Sequence, residues 1–120
     1  MERRDETVSL ISADKVSGTE VYNRKGENLG EVKDVMLDKQ SGRVAYAIMS
    51  FGGFVGLGRN YYPLPWSTLH YDTKQKGYVV DLDKDVLEGA PNYESDEVPE
   101  WDRTYEGRIH DYYKVPPYWL

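Results

Sequence analysis

The sequence predicts an all-β domain: a small antiparallel β-barrel of about six short strands, with a short helix after the last strand and a partly helical aromatic C-terminal extension. Three observations carry this. Short apolar runs alternate with turn clusters rich in Gly, Asn and Asp up to Leu82. Within those runs the apolar residues alternate at the strand period rather than the helix period. A handful of short strands in a 120-residue chain also needs closure or cover at its edges, and a barrel supplies closure.

Taken in order, "TEVYN" is the first strand and "NRKGEN" its turn. "NLGEVKDVMLD" follows, but Val32, Val35 and Leu37 do not share a parity, and a bulge at Lys33 and Asp34 would restore it. "DKQSG" then turns into "GRVAYAIMSF", which is apolar on both faces: Val44, Tyr46 and Ile48 on one, Ala45, Ala47, Met49 and Phe51 on the other. Such a strand is central. "YYPLPW" is β-like and interrupted by prolines, and His70 falls at a strand end. After "DTKQKG", "GYVVDLD" sends Tyr78, Val80 and Leu82 one way and Val79, Asp81 and Asp83 the other, as in a sheet wet on one side. "DKDVLEGAP" reads as the short helix, with Asp83 as cap, Val86 and Leu87 facing in, and Gly89 and Pro91 ending it.

From Pro91 the chain becomes acidic and rich in Pro, Tyr and Trp. We therefore divide it into an N-terminal arm (1–11), a barrel domain (12–90) and an acidic aromatic extension (91–120). In the extension Trp101, Tyr105, Ile109 and Tyr113 recur at i, i+4, which predicts a helix with one aromatic stripe, weakened by about 1 kcal/mol at Gly107. "KVPPYWL" cannot be helical through Pro116 and Pro117, so it should drape in extended form, free enough to reach a neighbour.

Composition removes several functions. With no cysteine there is no disulfide, thiol nucleophile or thiolate metal site. A net charge of −6 opposes the basic field that nucleic-acid binding needs. "MERRDETVSL" has no apolar run behind its arginines, so we expect neither a signal peptide nor direct membrane insertion, although peripheral association is compatible, and we place the protein in the cytoplasm.

The stretch "SFGGFVGLGRNYYPLPW" looks at first like a phosphate cradle. After Gly58, however, come Arg59 and Asn60 rather than Lys and Ser or Thr, and a strand follows where a dinucleotide fingerprint needs a helix. It reads instead as a long hairpin loop in which Gly52, Gly53, Gly56 and Gly58 supply conformational freedom, with Phe54, Val55 and Leu57 at an apolar tip. Asp81, Asp83 and Asp85 resemble the start of a calcium loop, but Val86 and Asn92 stand where Gly and Glu are required. His70 and His110 share no ligand spacing, and no nucleophile has a base beside it. We expect no cofactor, no metal site and no catalysis.

The order of motifs resembles the PRC-barrel family, named for the cytoplasmic part of the photosynthetic reaction-centre H subunit and found also in a ribosome maturation factor. The resemblance covers Ser12 to Leu87 and rests on "GTEV" at Gly18–Val21, "GENLGEVKD" at Gly26–Asp34, "DKQSGRV" at Asp38–Val44, the "FGGFVGLG" loop and "PLPW" at Pro63–Trp66. It implies a small, strongly bent antiparallel β-barrel used for docking, most like the free-standing bacterial members. No counterpart of the H subunit's membrane helix or of the maturation factor's N-terminal domain is visible, so neither complete function carries over.

Three functions follow as expectations. The first is a non-catalytic protein-interaction (adaptor or docking) module, a homodimer with a further protein partner not named by the sequence. Its contacts would be Phe54, Val55, Leu57, Tyr61, Trp101, Tyr105, Tyr113, Tyr118 and Trp119, since Tyr and Trp are enriched at interfaces. The second is an accessory role in a membrane electron- or proton-transfer complex, with Glu31, Asp34, Asp38 and Asp81 standing in for the H subunit's carboxylates. The third is a small-molecule site at the barrel mouth near Tyr61, Tyr62 and Trp66.

Overall fold

The computed structural model describes residues 9–51, 60–94 and 96–120. Among the described residues seven strands form one sheet: β1 (Glu20–Asn23), β2 (Asn28–Leu37), β3 (Val44–Phe51), β4 (Asn60–Pro65), β5 (His70–Asp72), β6 (Gly77–Val80) and β7 (Tyr93–Glu94). Their spatial order is β5-β6-β1-β2-β3-β4-β7. Among the described residues three α-helices accompany them, α1 (Ala13–Val16), α2 (Lys84–Glu88) and α3 (Arg103–Tyr113), with a short 3-10 helix at Trp66–Thr68. The fold is all-β in kind, as the period-two runs predict.

Asn and Asp close the hairpins with their side chains. Buried Asn23 accepts from the N–H groups of Lys25 and Glu27, each at 3.0 Å, and its amide donates to Glu27 Oε1 at 2.7 Å. Asp38 takes the Ser41 hydroxyl at 2.7 Å, and Asp72 takes the Lys74 N–H at 2.9 Å. These side chains replace the backbone partners that a turn lacks. The bulge also stands where parity requires it. Val32 pairs with Met49 and Asp34 with Ile48, so Lys33 is the extra residue, and Val32 and Val35 both reach the inner core.

That core lies on one face of the sheet, where Val21, Val32, Met49, Leu64 and Val80 are fully buried together with Leu87 of α2. Burying one such side chain contributes roughly 1.5–3 kcal/mol.

Three expectations need correction. β1 and β6 run parallel, with Val21 opposite Tyr78 and Asn23 opposite Val80. A hairpin turn fixes only the relative direction of its own two strands, so docking β5–β6 against β1–β2 was not readable from local turns. The sheet, moreover, is not closed into a barrel: among the described residues, pairing ends at β5 on one side and β7 on the other. Cover replaces closure, since α2 plugs the inner face and β7 takes the edge of β4 at Asn60 and Tyr61. Beyond that point Pro63 and Pro65 leave the β4 edge without two N–H donors, which blunts it. Finally, α2 turns only Leu87 inward. Val86 is 43% exposed, because a five-residue helix presents a single inward row. Asp83 occupies the cap position without a cap hydrogen bond and instead pairs with Lys25 at 3.3 Å. The reading of the glycine loop at 52–59 lies outside the described residues, as does most of the N-terminal arm.

Candidate functional site

β3 is central and apolar on both sides, so the sheet needs a second cover. Ala47 and Met49 face the inner core, while Ala45, Tyr46 and Ile48 form an outer one with Ile109 of α3. The aromatic stripe supplies that cover. Tyr105 and Tyr113 of α3, with Trp101 just before it, pack on this outer face, joined by Tyr61 and Tyr93. The helix begins where Asp102 accepts from the Tyr105 N–H at 2.8 Å. It ends at Lys114, left-handed at φ 57°, ahead of the two prolines.

Within this layer lies a polar knot. Glu106, buried to 7% exposure, accepts from the Tyr46 hydroxyl at 3.0 Å, the Tyr118 hydroxyl at 2.8 Å and Arg103 Nη1 at 3.1 Å. The Tyr46 hydroxyl also touches His110 Nε2 at 2.8 Å. Since the single hydroxyl proton goes to Glu106, the imidazole donates through Nε2–H, and Nδ1 is left buried without a hydrogen-bond partner among the described residues. Burial holds His110 below its ordinary pKa, only partly offset by the nearby backbone of Val115 and Pro116 and by Glu106. Tyr46 is pushed far up by burial and then by Glu106, so it remains a neutral donor.

The C-terminal segment folds back over this knot. Arg103 stacks on the Trp119 ring at 4.0 Å and lies 5.6 Å from the Tyr118 ring. Trp119 also meets the His110 ring edge-on at 5.5 Å. "PPYWL" is therefore packed on its own helix rather than extended away from it. Tyr118 nonetheless stays 39% exposed.

The structure thus brings together Tyr61, Trp101, Tyr105, Tyr113, Tyr118 and Trp119 on one side of the sheet, whereas Phe54, Val55 and Leu57 lie outside the described residues. The sequence reading missed Arg103, Glu106 and His110. Their spacing of three and four residues, which puts them on one helical face, was the available signal.

The other groupings do not assemble. Tyr61 and Tyr62 are neighbours on β4, so they point to opposite faces and cannot share a barrel mouth. An open groove of about 650 Å³ lies elsewhere, between Gly89–Asn92 and the Tyr105, Arg108 and Tyr112 face of α3. Three of the four carboxylates are engaged separately, Asp38 in its own turn, Asp34 on the Val35 N–H at 2.8 Å and Asp81 beside Arg24 at 3.7 Å, while Glu31 stands on β2 opposite Ser50. Among the described residues, Glu94, Asp96 and Glu97 bring carboxylate oxygens within 4.8 Å of one another, all of them exposed.

A family model described as PRC-barrel domain matches residues 9–87, more than half of the chain. No curated protein gives a match. Among the described residues no helix is long and apolar enough to cross a membrane.

Proposed function

We propose that this chain, which belongs to the PRC-barrel domain family, is a non-catalytic interaction module that works as a homodimer through the face built by its C-terminal extension. One observation carries the reading: Arg103, Tyr118 and Trp119 are locked together by stacking and by Glu106 while Tyr118 stays part-exposed. These residue types dominate binding hot spots, and side chains already held in place lose little entropy on docking. The open seven-stranded sheet is the platform beneath them.

A second copy is the occupant that the charges favour. Glu100, Asp102 and Glu106 outweigh Arg103 at the start of this face, and Arg108 and Lys114 outweigh Asp111 at its end, so two antiparallel copies bring unlike net charges opposite each other. Light scattering of the full chain and of Trp119→Ala tests this. We expect twice the monomer mass for the full chain and a shift toward monomer for the variant, with the far-UV spectrum unchanged. A full chain that stays monomeric at the highest soluble concentration would sink the homodimer, and an equally dimeric W119A would move the interface elsewhere.

A further inference from the structure

We propose that the C-terminal segment Val115–Leu120 is a latch held over α3 by neutral His110 and released when that imidazole takes up a proton. This goes beyond the docking role, although the segment carries Tyr118 and Trp119 of the face proposed above.

The geometry makes His110 the keystone of the latch. It is 3% exposed and is roofed by the segment's own rings, Trp119 at 5.5 Å and Tyr118 at 6.2 Å. Its Nε2 is engaged by Tyr46, and its Nδ1 is buried with no hydrogen-bond partner among the described residues. A proton arriving at Nδ1 therefore puts a full charge where water is excluded, beneath an aromatic roof attached to the body chiefly by side chains. Opening the roof restores water to the imidazolium. Keeping it closed leaves the charge poorly solvated.

The surrounding charges do not reverse this. From α3 itself Glu106 and Asp111 favour the imidazolium, but the Glu106 charge is shared with Arg103 and with two hydroxyl donors. β3 contributes the Tyr46 hydroxyl, which keeps its proton. The segment contributes the backbone of Val115 and Pro116, which acts in favour of the imidazolium but less than desolvation acts against it, and the Tyr118 phenol, pushed up chiefly by burial. Desolvation remains the largest influence on His110 and acts against the charged form.

The sign follows directly. The docked imidazole has the lower pKa, so docking is at full strength above the undocked pKa. As pH falls from there toward the docked pKa, the docking constant drops by about tenfold per pH unit. Below the docked value it falls no further.

NMR of the full-length protein from neutral pH to about 4.5 tests the latch through the Trp119 indole, the Leu120 amide and the His110 ring signals. We expect the segment's signals to move to mobile-peptide positions with the same midpoint as His110, below the undocked pKa, while β3 and β4 amides hold still. In His110→Gln the acid step should vanish, and in His70→Gln it should persist. His110 titrating in wild type while the segment stays docked would overturn the latch even if H110Q failed to fold. The same opening midpoint in H110Q would overturn it too, by assigning the step to a group other than His110.

Discussion

Tyr46 and Tyr113 carry the same hydroxyl into the same interior, yet removing it should have opposite effects. The Tyr46 hydroxyl serves both Glu106 and His110, so Tyr46→Phe leaves two buried groups short of a partner and should cost about 2 kcal/mol. The Tyr113 hydroxyl is buried with no partner among the described residues, and Tyr113→Phe should be neutral or stabilising by up to about 1 kcal/mol. Urea midpoints at constant pH check both, and a destabilised Y113F would reveal an unrecognised partner. Gly30 offers a sterner case. At φ 147° an added Cβ would sit 2.0 Å from the Ser50 carbonyl oxygen, within the β2–β3 pairing itself. Gly30→Ala should therefore cost about 3 kcal/mol, whereas Gly42→Ala, with φ 75° and open space around it, should cost only about 1 kcal/mol. Equal midpoint losses for the two would contradict the close approach of β2 and β3.

At the scale of elements, β3 and α3 belong together although 51 residues separate the end of one strand from the start of the helix that covers it (Phe51 to Arg103). Both were legible as elements. Two apolar faces marked β3 as central, the broken parity of Val32 and Val35 located the bulge, and the i, i+4 stripe gave α3. Their meeting was not legible, because which face pairs with which stripe is decided by packing over a long loop rather than by local pattern. The parallel β1–β6 pairing escaped for the same reason, and so did the knot of Tyr46, Glu106 and His110, whose members come from both elements. Once the pairing is known, α3 cannot be treated as an appendage. A chain stopped after Pro91 uncovers Ala45, Tyr46 and Ile48 on the outer face and loses β7 from the β4 edge. It should bind a hydrophobic dye and aggregate on concentration, with a lower Tm than the full chain. A truncated chain that stayed soluble, monomeric and equally heat-stable would show that the extension is not a second core.

For the molecule as a whole, cohesion depends on tyrosine to a degree that pH should expose. Eleven tyrosines are spread through 120 residues, and several are built into the interior with hydroxyls that cannot ionise in place. Burial raises Tyr46 and Tyr113 far above the ordinary range and pushes Tyr105 up to about 12. A phenol whose pKa is higher folded than unfolded contributes stability that is fully present below the unfolded value of about 10. That contribution is lost as pH climbs from there through the folded value, because the unfolded chain can release the proton and the folded one cannot. The exposed ion pairs Arg24–Asp81 and Lys84–Glu27 each contribute at most about 1 kcal/mol and do not offset such a loss. Raising the pH should therefore ionise the accessible tyrosines smoothly first, then the buried ones in a single cooperative step that coincides with loss of the β-sheet signal. Phenolate absorbance and circular dichroism recorded on one sample test the coincidence. If all the tyrosines ionised together near the ordinary value with the sheet intact, the two-sided aromatic packing of β3 would be wrong.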